Sequence, residues 1–270
     1  LNGNSALVLS PQDAAALDGT AGQIASFFSD MLNRLIATRV GSPAPGDVLL
    51  RLDPSLSPLG EEGYTLNSGD VFTISAAAPQ GVLYGGVSLV QVLWQDAAHT
   101  RFPRGQARDY PRYDVRGGLL DIASAYLTPD ELAQLSRYMA WFKLNELHLH
   151  INDSSAASGK SAFRLACEDF PLLPAADGFY TKETYQALQT QAKAYGIEVV
   201  TEIVGPARGA CFANAAELPL DETGAFDISF PEAFNLTARF LQRLTDAYLT
   251  GDDPFLQGAY YDVGAGIYGE

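Results

Sequence analysis

Apolar positions along the chain fall into short runs and helical repeats. Within Arg112–Asp153, Val115 to Ile122 forms one apolar run and Leu147 to Ile151 another, while Leu132, Leu135, Met139 and Phe142 recur between them at helical spacing. Thr128, Pro129 and Glu131 supply a helix start: a capping hydroxyl, a proline at the first turn where its missing N–H is not needed, and a carboxylate three residues after the cap. Strand, helix, strand in this order predicts a crossover, which makes the two strands parallel. Burial of parallel strands on both faces accounts for a run such as Leu147–Ile151, read as lacking clean alternation.

Upstream, the pattern predicts a strand over Ala6–Leu9 and a helix over Gly22–Thr38 with Ile24, Phe27, Phe28, Met31, Leu32 and Leu35 along one side. Strands are predicted at Val48–Leu52, Glu62–Leu66 and Val71–Ala76, and a helix at Gly81–Leu93. Residues 1–95 therefore read as an α+β domain with helices over one sheet face. Residues 96–111, with His99, Arg101, Arg104, Arg108 and two prolines, read as a linker. From 112 to 270 the pattern continues through a small-residue loop (Ser154–Ser161), a helix (Lys182–Tyr195), a strand (Glu198–Ile203), a helix (Glu232–Leu249) and a strand (Ala259–Val263). That is an α/β repeat, in the order expected of the first four units of a (β/α) TIM-type barrel. A complete barrel takes about 250 residues. Half a barrel leaves two open sheet edges, so the expectation is a fragment, or a second chain that completes the barrel.

The net charge of −15 opposes binding to phosphate backbones and anionic lipid, so neither nucleic acid nor a membrane surface is an expected partner. A neutral sugar is not penalised. No window approaches the roughly 18 apolar residues of a membrane span, and Leu1-Asn2-Gly3 does not open a signal sequence. Cys167 and Cys211 allow one disulfide at most, and two buried thiols are the plainer reading. Three histidines without ligand-like spacing give no expectation of a metal, and no cofactor is expected. There is no Gly-x-Ser-x-Gly elbow, and Gly117-Gly118 lacks the spacing of a phosphate loop.

Several segments together carry a resemblance. Arg116-Gly117-Gly118-Leu119-Leu120-Asp121, Leu147-His148-Leu149-His150-Ile151-Asn152-Asp153, Ser161–Leu165 with Phe170-Pro171, Tyr180-Thr181-Lys182, and Glu202-Ile203 with Pro206 come in the order of the catalytic barrel of family 20 glycoside hydrolases. These are the β-N-acetylhexosaminidases and lacto-N-biosidases. Glu62-Gly63-Tyr64 and Gly81–Gly86 are similar to the small supporting domain that precedes that barrel. The resemblance implies recognition of terminal N-acetylhexosamine or lacto-N-biose units of glycans. It also implies substrate-assisted hydrolysis, in which the sugar's own acetamido oxygen attacks and an enzyme carboxylic acid protonates the leaving oxygen.

The family carries those tasks on an Asp-Glu pair in a motif like HIGADEY. Residues Asp262 to Tyr268 stand in that place, with Gly266 and Ile267 at the Asp and Glu positions. Glu270 is a conceivable stand-in acid, or simply a solvated carboxylate. The family's EIDxPGH becomes Glu202 to Arg208, with Val204 for the Asp and Arg208 for the His, and the second arginine of strand one is replaced in Ile122-Ala123-Ser124. Among the retained residues, the resemblance assigns Arg116 to the sugar's 3- and 4-hydroxyls, with an ion pair to Asp121 as the structural alternative. His150 and Asp153 would face the barrel mouth, or be a core histidine and a strand-end carboxylate. Glu202 would be a site carboxylate or the partner of Arg208. Phe179 and Tyr180 would be a stacking platform or core. Two functions follow: an enzyme by lineage with impaired hydrolysis, or a non-catalytic sugar-binding or scaffold relative. Asn152-Asp153-Ser154 and Asn235-Leu236-Thr237 match glycosylation acceptors, consistent with a secreted or cell-surface protein.

Overall fold

The computed structural model describes residues 1–155, 160–205, 208–213, 218–222 and 224–264. They form two compact units. One comprises Leu1–Val115 with Ala140–Lys143 and Ala194–Gly196, the other the remainder.

The first unit builds a mixed sheet from β1 (Ala6–Leu9), β2 (Ala37–Val40), β3 (Val48–Leu52), β4 (Tyr64–Ser68), β5 (Phe72–Ala76) and β6 (Gly105–Asp109), in the order β2-β1-β3-β5-β4-β6. Helices α1 (Ala14–Leu32) and α2 (Pro79–Trp94) pack against each other and on the sheet, burying Ile24, Phe27, Phe28, Val82, Leu83, Val87, Leu89 and Val90. Gly86 lies where a Cβ would come within 2.4 Å of Ile24, so a side chain there would separate the two helices. Two expectations are corrected. The predicted first helix ends six residues early: the chain turns at Asn33, which is in the left-handed region, leaves Leu35 exposed, and runs on as β2. The stretch read as a linker contains β6, which pairs antiparallel with β4, and its Arg104 pairs with Asp70 at 2.9 Å. Both missed strands are sheet margins exposed along their length, so they carry no apolar run to betray them.

The second unit is a four-stranded parallel sheet of β7 (Gly117–Asp121), β8 (Glu146–His150), β11 (Glu198–Glu202) and β12 (Tyr261–Asp262), in the order β12-β11-β8-β7. Helices α3 (Pro129–Trp141), α4 (Lys182–Ala194) and α5 (Pro231–Leu249) are the crossovers, so three β/α units and the fourth strand follow one another among the described residues, in the barrel order. The start of α3 is a reciprocal capping box: the Thr128 N–H donates to Glu131 Oε2 at 2.7 Å and the Glu131 N–H to Thr128 Oγ1 at 3.3 Å. The Thr128 N–H, and after it the Thr128 hydroxyl donating to the same oxygen at 2.8 Å, hold the Glu131 carboxyl below its usual range.

Three details differ from expectation here. Residues 154–161 are not simply a loop, because β9 (Asn152–Ser155) and β10 (Lys160–Phe163) form an antiparallel hairpin. β8 alternates cleanly: Leu147 and Leu149 are buried while Glu146, His148 and His150 are half-buried on the other face. β7, the margin of the sheet among the described residues, leaves Leu119 63% exposed rather than buried on both faces, and Phe142 beyond α3 is exposed too.

Cys167 and Cys211 are both free and buried. Burial pushes the Cys211 thiol up to about 12, so almost no thiolate exists at neutral pH. Dithiobis(nitrobenzoate) is therefore expected to leave Cys211 unmodified in the native chain and to titrate both thiols in urea. Rapid native labelling of Cys211 would contradict the burial.

Candidate functional site

Parallel pairing aligns the carboxyl ends of the second sheet in one transverse row. Asp121 pairs with His150, His150 with Glu202, and Glu202 with Asp262. Side chains two apart in a strand share a face, so His148 lies on the same face as His150, while Leu147, Leu149 and Ile151 point into the apolar core. The row therefore presents a polar surface on the face opposite that core.

Its side chains form one continuous chain of contacts. Arg208 Nη1 donates to Asp153 Oδ2 at 2.5 Å, His150 Nε2 lies 3.5 Å from the same oxygen, and His150 Nδ1 donates to Glu202 Oε2 at 2.8 Å. His148 Nε2 lies 3.4 Å from Glu202 Oε2 and 3.8 Å from Asp262 Oδ2. The Asp153 hydrogen bond, followed by its charge, holds the Arg208 guanidinium above its already high range. Asp121, Asp153, Glu202 and Asp262 thus bring four carboxylates to this end of the sheet, and the Arg208 guanidinium pairs with Asp153. The surface is rich in acceptors and suits a ligand that brings hydroxyl and amide N–H donors.

The backbone around this row is fixed from behind. Asn152, fully buried, donates from Nδ2 to the Val204 carbonyl at 3.0 Å and accepts the Val204 N–H at 2.8 Å. That bracket ties Val204 to Asn152, and Arg208 adopts a left-handed backbone (φ 55°) before the short 3-10 turn Gly209–Phe212. On the other side, buried Arg164 grips the carbonyls of Ile122 and Ala123, each at 2.8 Å, just beyond Asp121.

Of the residues expected in the site, His150, Asp153, Glu202 and Arg208 come together. Of the two readings for Glu202, a site carboxylate or the partner of Arg208, the structure does not show the pair: Glu202 bonds His150, and Arg208 pairs with Asp153. Arg116 does not join them. It precedes β7, where its N–H donates to Asn145 Oδ1 at 2.8 Å, at the amino end of a sheet whose carboxyl ends carry the row. A five-residue strand separates the two ends by roughly 16 Å at about 3.3 Å per residue, so Arg116 stands apart from the row. Tyr180 is core: it is buried, its hydroxyl donates to the Leu127 carbonyl, and desolvation raises it above the usual tyrosine range. Phe179 is partly exposed. Gly266, Ile267 and Glu270 lie outside the described residues. Sequence reasoning missed His148 and Asp262 as members of the row. The signal for His148 was available, because a residue two before His150 in a strand must share its face.

Comparison with known proteins agrees with this architecture. The model for glycosyl hydrolase family 20, domain 2, matches residues 1–110, and the family's catalytic-domain model matches residues 113–227. A lacto-N-biosidase of Bifidobacterium bifidum is 29% identical over 262 residues, covering 94% of this chain and 22% of its own. A beta-N-acetylhexosaminidase of Cellulomonas fimi is 29% identical over 265 residues, covering 90% of this chain and 50% of its own. The chain thus spans half or less of the length of these curated relatives. Among solved structures, a family 20 beta-N-acetylhexosaminidase of Streptomyces coelicolor superposes with a TM-score of 0.73 at 24% identity, over 97% of this chain and 56% of that one. A mutant beta-hexosaminidase of Streptomyces plicatus in complex with product (GlcNAc) gives 0.75 at 22% identity, over 97% and 55%.

Proposed function

The chain belongs to glycosyl hydrolase family 20, and from that premise we propose that it recognises terminal N-acetylhexosamine or lacto-N-biose units of glycans while hydrolysing them poorly. The observation that carries the reading is the pair Gly266-Ile267 at the positions where the family motif has Asp and Glu. A substrate-assisted mechanism needs one carboxylate to orient the acetamide and a carboxylic acid to protonate the leaving oxygen. Neither glycine nor isoleucine can do either. Val204 and Arg208, in place of the Asp and His of strand three, remove two further polar partners of the family pattern.

What supports binding is the row at the carboxyl ends of the strands. Asp153 and Glu202 are half-buried, held by Arg208 and His150, and offer fixed acceptors to sugar hydroxyls. The complex of the Streptomyces plicatus relative with GlcNAc motivates the probe. The same reading places the protein where glycans are displayed, secreted or at a cell surface, and allows a second chain to complete the barrel.

The test combines release of nitrophenol from nitrophenyl β-N-acetylglucosaminide and lacto-N-bioside with calorimetric titration by N-acetylglucosamine. We expect binding, with turnover lower by about 10²–10⁴-fold than in a relative carrying the Asp-Glu pair. Asp153→Ala should weaken binding roughly 10- to 100-fold, the loss of a hydrogen bond to a charged group. Turnover at the relative's level would overturn the reading, and if Glu270→Gln abolished it, a relocated acid would be the cause. Absence of both binding and turnover would also overturn it.

A further inference from the structure

His148, Glu202 and Asp262 put an imidazole nitrogen and two carboxylate oxygens within 4.8 Å of one another, from three adjacent parallel strands. We propose that they form a divalent transition-metal site of the zinc type. The first argument is geometric. Zinc bonds to nitrogen and carboxylate oxygen are about 2.0–2.2 Å, so ligand atoms at the corners of a tetrahedron around the ion stand roughly 3.3–3.6 Å apart. His148 Nε2 lies 3.4 Å from Glu202 Oε2 and 3.8 Å from Asp262 Oδ2. Those separations are too long for hydrogen bonds and close to the edges of a coordination tetrahedron.

The second argument is the state of His148 itself. Its Nε2 is buried and makes no hydrogen bond among the described residues, although it points between two carboxylates. A buried ring nitrogen without a partner is costly, and a cation at that point satisfies it and neutralises the carboxylates together.

The third is the way each carboxylate is held from outside. His150 Nδ1 donates to Glu202 Oε2 at 2.8 Å, and the Gly264 N–H donates to Asp262 Oδ1 at 2.7 Å, leaving Asp262 Oδ2 turned to His148. Outer hydrogen bonds that fix ligating carboxylates in this manner accompany real metal centres. Gly264 reaches its position with φ +52°, where a Cβ would fall 2.6 Å from Val204, so glycine is what allows that N–H to approach. Asp262, 45% exposed at its side chain, leaves the fourth position open to water. One imidazole with two carboxylates favours zinc, cobalt or manganese over calcium, which takes six or more oxygens.

Chelator-treated full chain should be titrated with Zn²⁺ by calorimetry, and with Co²⁺ while following the visible spectrum, whose intensity reports tetrahedral coordination. One tight equivalent is expected, with Ca²⁺ failing to compete. His148→Gln should weaken it about 100-fold or more, since losing a ligand costs at least as much as losing an outer-shell partner. Asp262→Asn, on the two-residue strand at the sheet margin, keeps an acceptor for the Gly264 N–H. It should fold as the parent does in the absence of metal and lose affinity equally. Binding unchanged in both variants would mean adventitious ions on an acidic surface and would overturn the site, as would no binding at millimolar ion.

Discussion

Arg164→Met is expected to lower stability by about 2–6 kcal/mol, the cost of leaving two buried carbonyls without a donor. Arg164 is only 1% exposed, yet every donor it presents inside the unit is used. Nε reaches the Ile122 carbonyl, Nη2 the Ala123 carbonyl and Nη1 the Gly178 carbonyl, each at 2.8 Å, while both terminal nitrogens also reach the Asp177 carboxylate. Asp177 is 68% exposed, so its charge stays solvated when the arginine is removed and adds little to the loss. The cost comes from the carbonyls. Ile122 and Ala123 are buried, and an acceptor stranded without a donor costs about 1–3 kcal/mol. Their N–H groups both bond the His150 carbonyl, so Arg164 also fixes the chain just past Asp121 at the edge of the polar row. Urea unfolding measures the change as a shift in midpoint at constant slope. Because domains of this kind have only about 5–15 kcal/mol in total, Arg164→Lys serves where the methionine variant does not fold. It keeps the charge but not the planar fork, and an intermediate loss is expected. A loss under about 1 kcal/mol in both variants would refute the argument.

Much of the fold was legible because its elements advertise burial. The runs around Leu7, Leu50, Ile74, Leu149 and Val199 are apolar and bounded by turn residues, and the structure makes each a strand. The Thr128 to Glu131 signal works because capping is local chemistry, independent of the rest of the chain. β2 and β6 were illegible for the converse reason: Ala37–Val40 and Gly105–Asp109 are exposed margins whose strand character is imposed by β1 and β4. The β9–β10 hairpin is likewise set by its partner strand, since Ser and Ala carry no period of their own.

The site was half legible. His150, Asp153, Glu202 and Arg208 come together because their motifs end strands of one sheet, while Arg116 stands apart because a motif supplies a residue type without the register that decides which end of the strand it occupies. The grouping of His148 with Glu202 and Asp262 depends on the order β12-β11-β8, a long-range fact with no spacing in the sequence to announce it.

Asn152→Leu tests whether that register is what assembles the site. The leucine keeps the volume and the burial but removes both hydrogen bonds to Val204, whose own side chain is buried. Val204 is then left with an N–H and a carbonyl away from water, at about 1–3 kcal/mol each, so a loss of about 2–5 kcal/mol is expected. The effect should not stop at stability. Asn152 and Asp153 are neighbours, so the bracket at Asn152 fixes the backbone from which the Asp153 side chain meets Arg208. Loosening it should weaken N-acetylglucosamine binding even at temperatures where the variant remains folded, by an amount comparable to Asp153→Ala. Calorimetric titration of the folded variant, beside urea unfolding, separates the two consequences. Lost stability with unchanged binding would show that the Asp153 to Arg208 contact is held by other means. Unchanged stability would show that Val204 finds new partners and that Asn152 is not the bracket.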